Sequence, residues 1–183
     1  MSPDELTIIE FDDKHLSKSF DCDDEPLNKF LLDKAKTKHS IMESFVYLAL
    51  LGNELVGYVA LATGNVVDTS KANRCVPAVL VGRLAVDKNY QRRGIGKKLV
   101  LWSIRKAQIV SKHVACRYVY ADVLEGSEAL GFYKDHLKFR TMDGSLKDSI
   151  EYPGKSLIVV YVDMAASRGK KQTESELAEE ESS

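Results

Sequence analysis

Apolar residues recur along the chain with two different periods, and the two kinds of segment alternate. Segments in which every second residue is apolar, and short unbroken apolar runs, predict β-strands. These are residues 6–11, 44–51, 54–63, 78–86, 117–123, 139–142 and 157–162. Segments in which apolar residues recur every three or four positions predict helices. These are residues 26–40, 94–111 and 127–134. Gly52-Asn53 between two strands predicts a hairpin. The fold class expected is therefore α/β (α+β), a mixed sheet covered by helices.

The alternating pattern stops near residue 164. The remaining residues, 165–183, have no apolar periodicity and end in an acidic run. This composition predicts a disordered tail. Because no long linker and no internal repeat precedes it, residues 1–164 are predicted to form one domain, a usual size for a single domain.

Composition excludes several classes of protein. Hydrophobic residues make up 44% of the chain and charged residues 29%, which excludes collagen-like and low-complexity chains. Apolar runs such as residues 45–51 fall short of the ~20 residues that span a membrane. No leader segment precedes Asp4 and Glu5, so a cytoplasmic location is expected. The cysteines are widely spaced, form no Cys/His cluster and are expected to be small buried hydrophobes. They are Cys22, Cys75 and Cys116.

The charge of the chain is unevenly distributed. The 26 basic and 27 acidic residues give a net charge of −1, which by itself argues against a nucleic-acid binder. Residues 1–25 hold nine acidic and two basic residues, and residues 165–183 hold five acidic and three basic ones. Residues 26–164 are left with 21 basic and 13 acidic residues, a net of +8. The net charge therefore neither excludes an anionic acceptor nor favours one.

A glycine-containing turn joins a predicted strand to a predicted helix. It reads Gln91-Arg92-Arg93-Gly94-Ile95-Gly96-Lys97-Lys98. Unpaired N–H groups at a helix start, together with the helix dipole, favour phosphate. A tight turn on a charged surface is the alternative. A P-loop is excluded because GxxxxGK[ST] is absent, and the third glycine of a dinucleotide fingerprint is replaced by Leu99.

The order of these motifs resembles the GNAT superfamily of N-acetyltransferases. The resemblance rests on Arg83-Leu84-Ala85-Val86, on the Q-x-x-G-x-G turn that follows, and on Ala129-Leu130-Gly131-Phe132-Tyr133. It covers about residues 6–163 in element order. It implies a mixed, mostly antiparallel central sheet of about six to seven strands, with helices on both faces. It also implies acetyl-CoA as co-substrate.

The same resemblance assigns residues to the cofactor. The pantetheine arm would pair with the main chain of Leu84, Ala85 and Val86. The pyrophosphate would rest on the turn, whose residues by this resemblance are Gln91, Arg92, Arg93, Gly94, Ile95, Gly96 and Lys97. The four histidines lack metal-ligand spacing, so no metal is expected.

Catalytic roles follow from the chemistry of acyl transfer. By resemblance Tyr133 is the acid that protonates the leaving thiolate; the alternative is a packing aromatic beside Phe132. A strand N–H next to Val86 would stabilise the oxyanion. No single general base is identified, and the candidates are Glu10, Asp122, Glu125, Glu128 and His136.

Two positions depart from the pattern of many relatives. Gly126 stands where they carry Asn, and Lys138 stands where they carry Gly before a final Phe.

The acceptor is less well defined than the cofactor. Two segments resemble the subgroup that includes toxin-antitoxin acetyltransferases: Phe20-Asp21-Cys22-Asp23 followed by a Leu-x-x-Phe-Leu helix, and Gly82-Arg83-Leu84-Ala85-Val86-Asp87 later in the chain. Those toxins acetylate the amino group of aminoacyl-tRNA. The acceptor is thus an amine, with aminoacyl-tRNA, a small molecule or a protein amine as alternatives. A tRNA or antitoxin partner and a homodimer are open, and no membrane partner is expected. A non-catalytic acetyl-CoA-binding module and a docking role for the tail are the other readings.

Overall fold

A computed structural model of the chain describes residues 5–17, 19–68, 74–142 and 144–166. Within these residues eight strands form one sheet in the order β1-β2-β3-β4-β5-β8-β6, and β7 also pairs with β8. The strands are β1 (Leu6–Glu10), β2 (Phe45–Leu51), β3 (Glu54–Asp68), β4 (Arg74–Val86), β5 (Tyr118–Leu124), β6 (Arg140–Thr141), β7 (Lys147–Asp148) and β8 (Ser156–Asp163). All pairings are antiparallel except that of β4 with β5. The mixed, mostly antiparallel sheet is confirmed.

Helices cover both faces of this sheet, as predicted. They are α1 (Glu25–Lys29), α2 (Ala35–Ser40), α3 (Ile95–Val110) and α4 (Glu128–Gly131). A π-helical segment, Phe30–Lys34, joins α1 to α2, and a second one, Phe132–His136, continues α4. Asp24 caps α1 through Leu27 N, and Ser127 caps α4 through Leu130 N. Among the described helices none is long and apolar enough to cross a membrane.

The strand boundaries differ from the predicted ones mainly where β3 meets β4. The strands extend to Asp68 and back to Arg74, beyond the predicted ends at residues 63 and 78. Gly64, Asn65 and Pro77 break the apolar pattern there, but cross-strand pairing continues through them. The two-residue β7 was not predicted because two residues carry no periodicity. The predicted disordered tail lies almost wholly outside the described residues, and the 1–164 domain stays a prediction.

Separate hydrophobic clusters pack on the two faces. On one face α3 buries Leu99, Val100 and Ala107 against Val56 and Val119. Leu99 and Val100 are adjacent and Ala107 lies two turns further on, so the three residues share one side of the helix, the side that packs on the sheet. On the other face α1, its π-helical continuation and α2 bury a second cluster. Its members include Phe20, Cys22, Phe30, Leu31, Ala35, Leu48, Tyr58 and Ala85. Cys22 is buried and Cys116 is half-buried, whereas Cys75 is exposed, contrary to expectation, because it lies on the extended end of β4.

Strand β4 is paired on both sides along only part of its length. The parallel ladder with β5 covers Ala78–Leu80, and after Leu80 no β5 residue is paired with β4. The antiparallel ladder with β3 continues to Val86, with a register shift that leaves Gly82 as an extra residue on β4. Such a bulge bends and twists a strand. The result is a gap between β4 and β5 with unpaired main-chain groups on its β4 edge.

Candidate active site

The gap between β4 and β5 opens into a cavity of about 1130 Å³. Residues from both faces of the sheet line it. Ile95, Phe132 and Tyr133 come from the α3 and α4 face, while Leu27 and Tyr152 come from the α1 face. We call these the α3 side and the α1 side of the cavity. The cavity is therefore accessible from either face of the sheet, at the point where the sheet is open.

The α3 side is built around the predicted turn. Gly94 has φ +81° and Arg92 φ +61°, the left-handed region in which glycine is favoured. A Cβ on Gly96 would lie 3.4 Å from the Phe132 ring and 3.7 Å from Val86, which are ordinary contact distances, so the backbone of Gly96 lies close to both side chains. α3 begins at Ile95, and the N–H groups of its first turn have no intrahelical acceptor. This arrangement suits an anion held by main-chain donors.

The turn and the helix that follows it are rich in positive charge. Between Asp87 and Asp122 the sequence holds no acidic residue. The same stretch contains Lys88, Arg92, Arg93, Lys97, Lys98, Arg105, Lys106, Lys112 and Arg117. Such a run raises the local potential for a phosphate-bearing ligand.

The structure places nearly all of the predicted cofactor residues on the cavity. The lining includes Leu84, Ala85, Val86, Gln91, Arg92, Gly94, Ile95, Gly96 and Lys97. Arg93 is not part of it, since its guanidinium lies 4.9 Å from the centre of the Tyr90 ring. The Arg92 side chain is exposed and paired with Glu128 at 2.6 Å.

Hydrogen bonds made by two side chains, Gln91 and Asp87, hold the turn in place. Gln91 Nε2 donates to Val86 O at 3.1 Å and to Cys22 O at 3.2 Å. Asp87 is buried, and its carboxylate accepts from Asp21 N and from Asn89 N at 3.0 and 2.9 Å. Sequence reasoning assigned no role to Asp87. The feature of the sequence that could have indicated a role for Asp87 is its position between a buried strand and the turn. The segment around Cys22 thus holds the end of β4 and the turn in fixed relation.

Tyr133 lies at the inner end of the α3 side. It is buried, lines the cavity, and contacts Phe132 and Phe139 edge-on with ring centroids 5.3 and 5.1 Å apart. It sits in the π-helical segment that continues α4, and such segments are frequent at functional sites. Burial raises the pKa of the Tyr133 phenol above its ordinary value of ~10. The group is therefore a neutral hydrogen-bond donor at physiological pH.

The candidate bases separate into two groups. Asp122, Glu128 and His136 line the cavity, whereas Glu10 and Glu125 do not. Asp122 is paired with Lys147 Nζ at 2.8 Å. Glu10 lies 3.2 Å from His39 Nε2. The cavity lining therefore reduces the number of candidate general bases, but it does not select one of them.

The two departures from the family pattern both fall at left-handed backbone positions. Gly126 has φ +72° and Lys138 has φ +60°. Lys138 therefore adopts the conformation that glycine favours, and the next residue, Phe139, still donates its N–H to Tyr133 O at 3.0 Å. The turn next to Tyr133 is kept despite the substitution.

The α1 side was not predicted from the sequence. Asp24 accepts a hydrogen bond from Tyr152 OH at 2.8 Å on each carboxylate oxygen. Arg83 pairs with Glu151, and its guanidinium carbon lies 5.4 Å from the centre of the Phe30 ring. These residues are far apart in the chain, so no local motif signals that they meet, although Arg83 itself begins the Arg83–Val86 segment of the family resemblance. They place a cation and a phenol at the α1 side of the opening.

No group of three or more His, Cys, Asp or Glu side chains that could hold a metal occurs among the residues with a described position.

A sequence model described as the Acetyltransferase (GNAT) family matches residues 8–139. A tRNA-acetylating toxin of Mycobacterium tuberculosis (strain ATCC 25618 / H37Rv) is 29% identical over 122 residues, 63% of this chain and 73% of the relative.

Solved structures are similar over most of the chain. A mutant of the toxin AtaT, bound to the C-terminus of the antitoxin AtaR and to acetyl-CoA, matches with a TM-score of 0.73 and 24% identity, covering 89% of this chain and 96% of that one. AtaT complexed with acetyl-methionyl-tRNAfMet matches with a TM-score of 0.71 and 22% identity, covering 90% and 98%. At these identities the likeness establishes a shared fold.

Proposed function

The chain belongs to the GNAT acetyltransferase family, and we propose that it transfers the acetyl group of acetyl-CoA to the amino group of an aminoacyl-tRNA. The observation that carries this proposal is the opening between β4 and β5. It creates one cavity with an anion-binding turn on one face of the sheet and a separate approach for an acceptor on the other.

The α3 side fits a phosphopantetheine thioester. The main-chain groups of Leu84, Ala85 and Val86 lie along the unpaired edge of β4, where an extended arm can pair as a strand would. The main-chain amides of residues Arg92 to Lys97 are suited to bind a pyrophosphate. Since this recognition uses main-chain donors, the side chain of Arg92 is free to pair with Glu128.

The acetyl thioester supplies an electrophilic carbonyl carbon, on which the neutral acceptor amine forms the C–N bond as the C–S bond breaks. A β4 main-chain N–H next to Val86 stabilises the oxyanion. Tyr133 donates its proton to the departing sulfur and regains one from solvent. Burial keeps the Tyr133 phenol protonated, so its proton is available when the sulfur develops charge. Asp122, Glu128 and His136 lie on the cavity wall, from which the amine's proton can be taken directly or through water.

The choice of acceptor rests on the relatives and on charge. The curated relative is a tRNA-acetylating toxin, and the AtaT structure was solved with an acetylated aminoacyl-tRNA. Residues 26–164 carry a net charge of +8, and this excess suits a polyanionic acceptor. By the same comparison with AtaT and AtaR, we propose an antitoxin as the protein partner.

A screen of acceptors tests the proposal. The purified protein would be mixed with acetyl-CoA and charged tRNAs, peptides or polyamines, and free thiol release would be measured. We expect release with charged tRNA and none with the same tRNA uncharged. Release with peptides or polyamines alone would contradict the acceptor and leave the acetyltransferase assignment intact.

A further inference from the structure

The pairing of Arg83 is incomplete. Its Nη1 donates to Gly82 O at 2.6 Å and its Nη2 donates to Glu151. Among the buried side-chain nitrogens and oxygens of the described residues, Arg83 Nε alone has no hydrogen-bond partner. A buried donor without a partner is unfavourable, and such groups in a binding cavity indicate a ligand atom.

A second arginine in the same molecule pairs through both Nε and Nη2. Arg117 donates from Nε to Asp163 Oδ1 at 3.2 Å and from Nη2 to Asp163 Oδ2 at 2.7 Å. Nε and Nη2 direct their hydrogens to the same side of the guanidinium plane, which is the fork that binds two oxygens of one carboxylate or phosphate. At Arg83 only the Nη2 half of the fork is used.

The partner that uses this half is the more exposed member of the pair. Glu151 lies in the loop between β7 and β8, and its side chain is 39% exposed. Its neighbour Ile150 is 96% exposed. Arg83 itself is held from two other directions, by Gly82 O and by the Phe30 ring. Arg83 thus has two contacts besides this pair, whereas the Glu151 carboxylate has no other partner among the described residues, so the carboxylate is the member that can be displaced.

We propose that Arg83 binds the phosphate next to the aminoacyl ester of the acceptor, and that Glu151 occupies the position of this phosphate until the acceptor arrives. Arg83 would then determine specificity, because it lies on β4 at the α1 side of the cavity, opposite the cofactor's side. This inference rests on the proposed function.

Binding of the trinucleotide CCA, the 3′ end of tRNA without its amino acid, tests the inference separately from catalysis. Arg83→Lys keeps the charge but loses the fork, so we expect its Kd for CCA to rise about tenfold or more. Glu151→Gln removes the negative charge that is paired with Arg83, so the Kd of this variant for CCA should fall by about threefold. Adenosine, which has no phosphate, should bind equally to all three proteins, and the Kd for acetyl-CoA should stay unchanged.

Glu43→Gln is the matched control, because it breaks an exposed Lys38–Glu43 pair that is not part of the cavity lining. Glu151→Gln alters an exposed side chain, so the test remains decisive if Arg83→Lys fails to fold. The inference is overturned if the wild type does not bind CCA, or if both variants bind it as the wild type does. CCA binding with the expected order, without acetylation of charged tRNA, would support the role of Arg83 and reject the proposed acceptor.

Discussion

The two sides of the cavity are built by different means. The α3 side is built around a run of consecutive residues, two of them glycines, that present main-chain donors at the start of one helix. The α1 side is made from side chains contributed by a loop before α1, by β4 and by the β7–β8 loop. Main-chain recognition depends on backbone shape and tolerates most side chains, whereas the α1 side depends on the identity of each residue. We therefore expect the α3 side to bind what the family shares and the α1 side to select the acceptor.

Tyr133 belongs to the α3 side, and the loss of its hydroxyl is expected to have the largest effect. Tyr133→Phe removes the proton donor and keeps the ring that contacts Phe132 and Phe139. We expect kcat to fall by about 10²–10⁴-fold, with an unchanged Kd for acetyl-CoA by calorimetry. Tyr161→Phe is the control, since Tyr161 lies on β8 and does not line the cavity. A kcat equal to that of the wild type would leave Tyr133 as a packing residue.

The backbone shape of the α3 side is broken by Gly94→Val. A β-branched residue at φ +81° is strained, so the turn should open and acetyl-CoA binding should weaken by about 100-fold or more. Gly154→Val is matched to it, because Gly154 has φ +75° and, like Gly94, has no atom within 4 Å of the position that a Cβ would take. Gly154 is nevertheless not part of the cavity lining. Equal weakening in both variants would show that backbone strain alone, and not the turn, accounts for the loss.

The smallest expected effect tests whether side chains matter at the α3 side. Arg92→Ala removes an exposed cation that is paired with Glu128. If the amides carry the recognition, the Kd for acetyl-CoA should rise by less than about threefold, the range of an exposed ion pair. Lys36→Ala, which breaks an exposed pair with Asp13, gives the background. A change of tenfold or more at Arg92 would place the recognition in the side chain.

The sequence by itself determined the strand and helix order, the hairpin at Gly52-Asn53, the turn from Gln91 to Lys97 and the position of Tyr133. Each depends on residues close in the chain, where periodicity, caps and glycines act directly. The ends of β3 and β4 were underestimated because their pairing continues through residues such as Pro77 that break the pattern.

Only the tertiary structure decided where β4 and β5 part and which side chains face the gap. The meeting of Asp24 with Tyr152 joins residues 128 positions apart. The pairing of Arg83 with Glu151 joins residues 68 positions apart. Such contacts arise from sheet order and loop packing, which no local spacing encodes. The physical reason is that consecutive residues form a binding site made of main-chain groups, so the local sequence specifies it. A pocket made of side chains from distant residues exists only once the chain has folded.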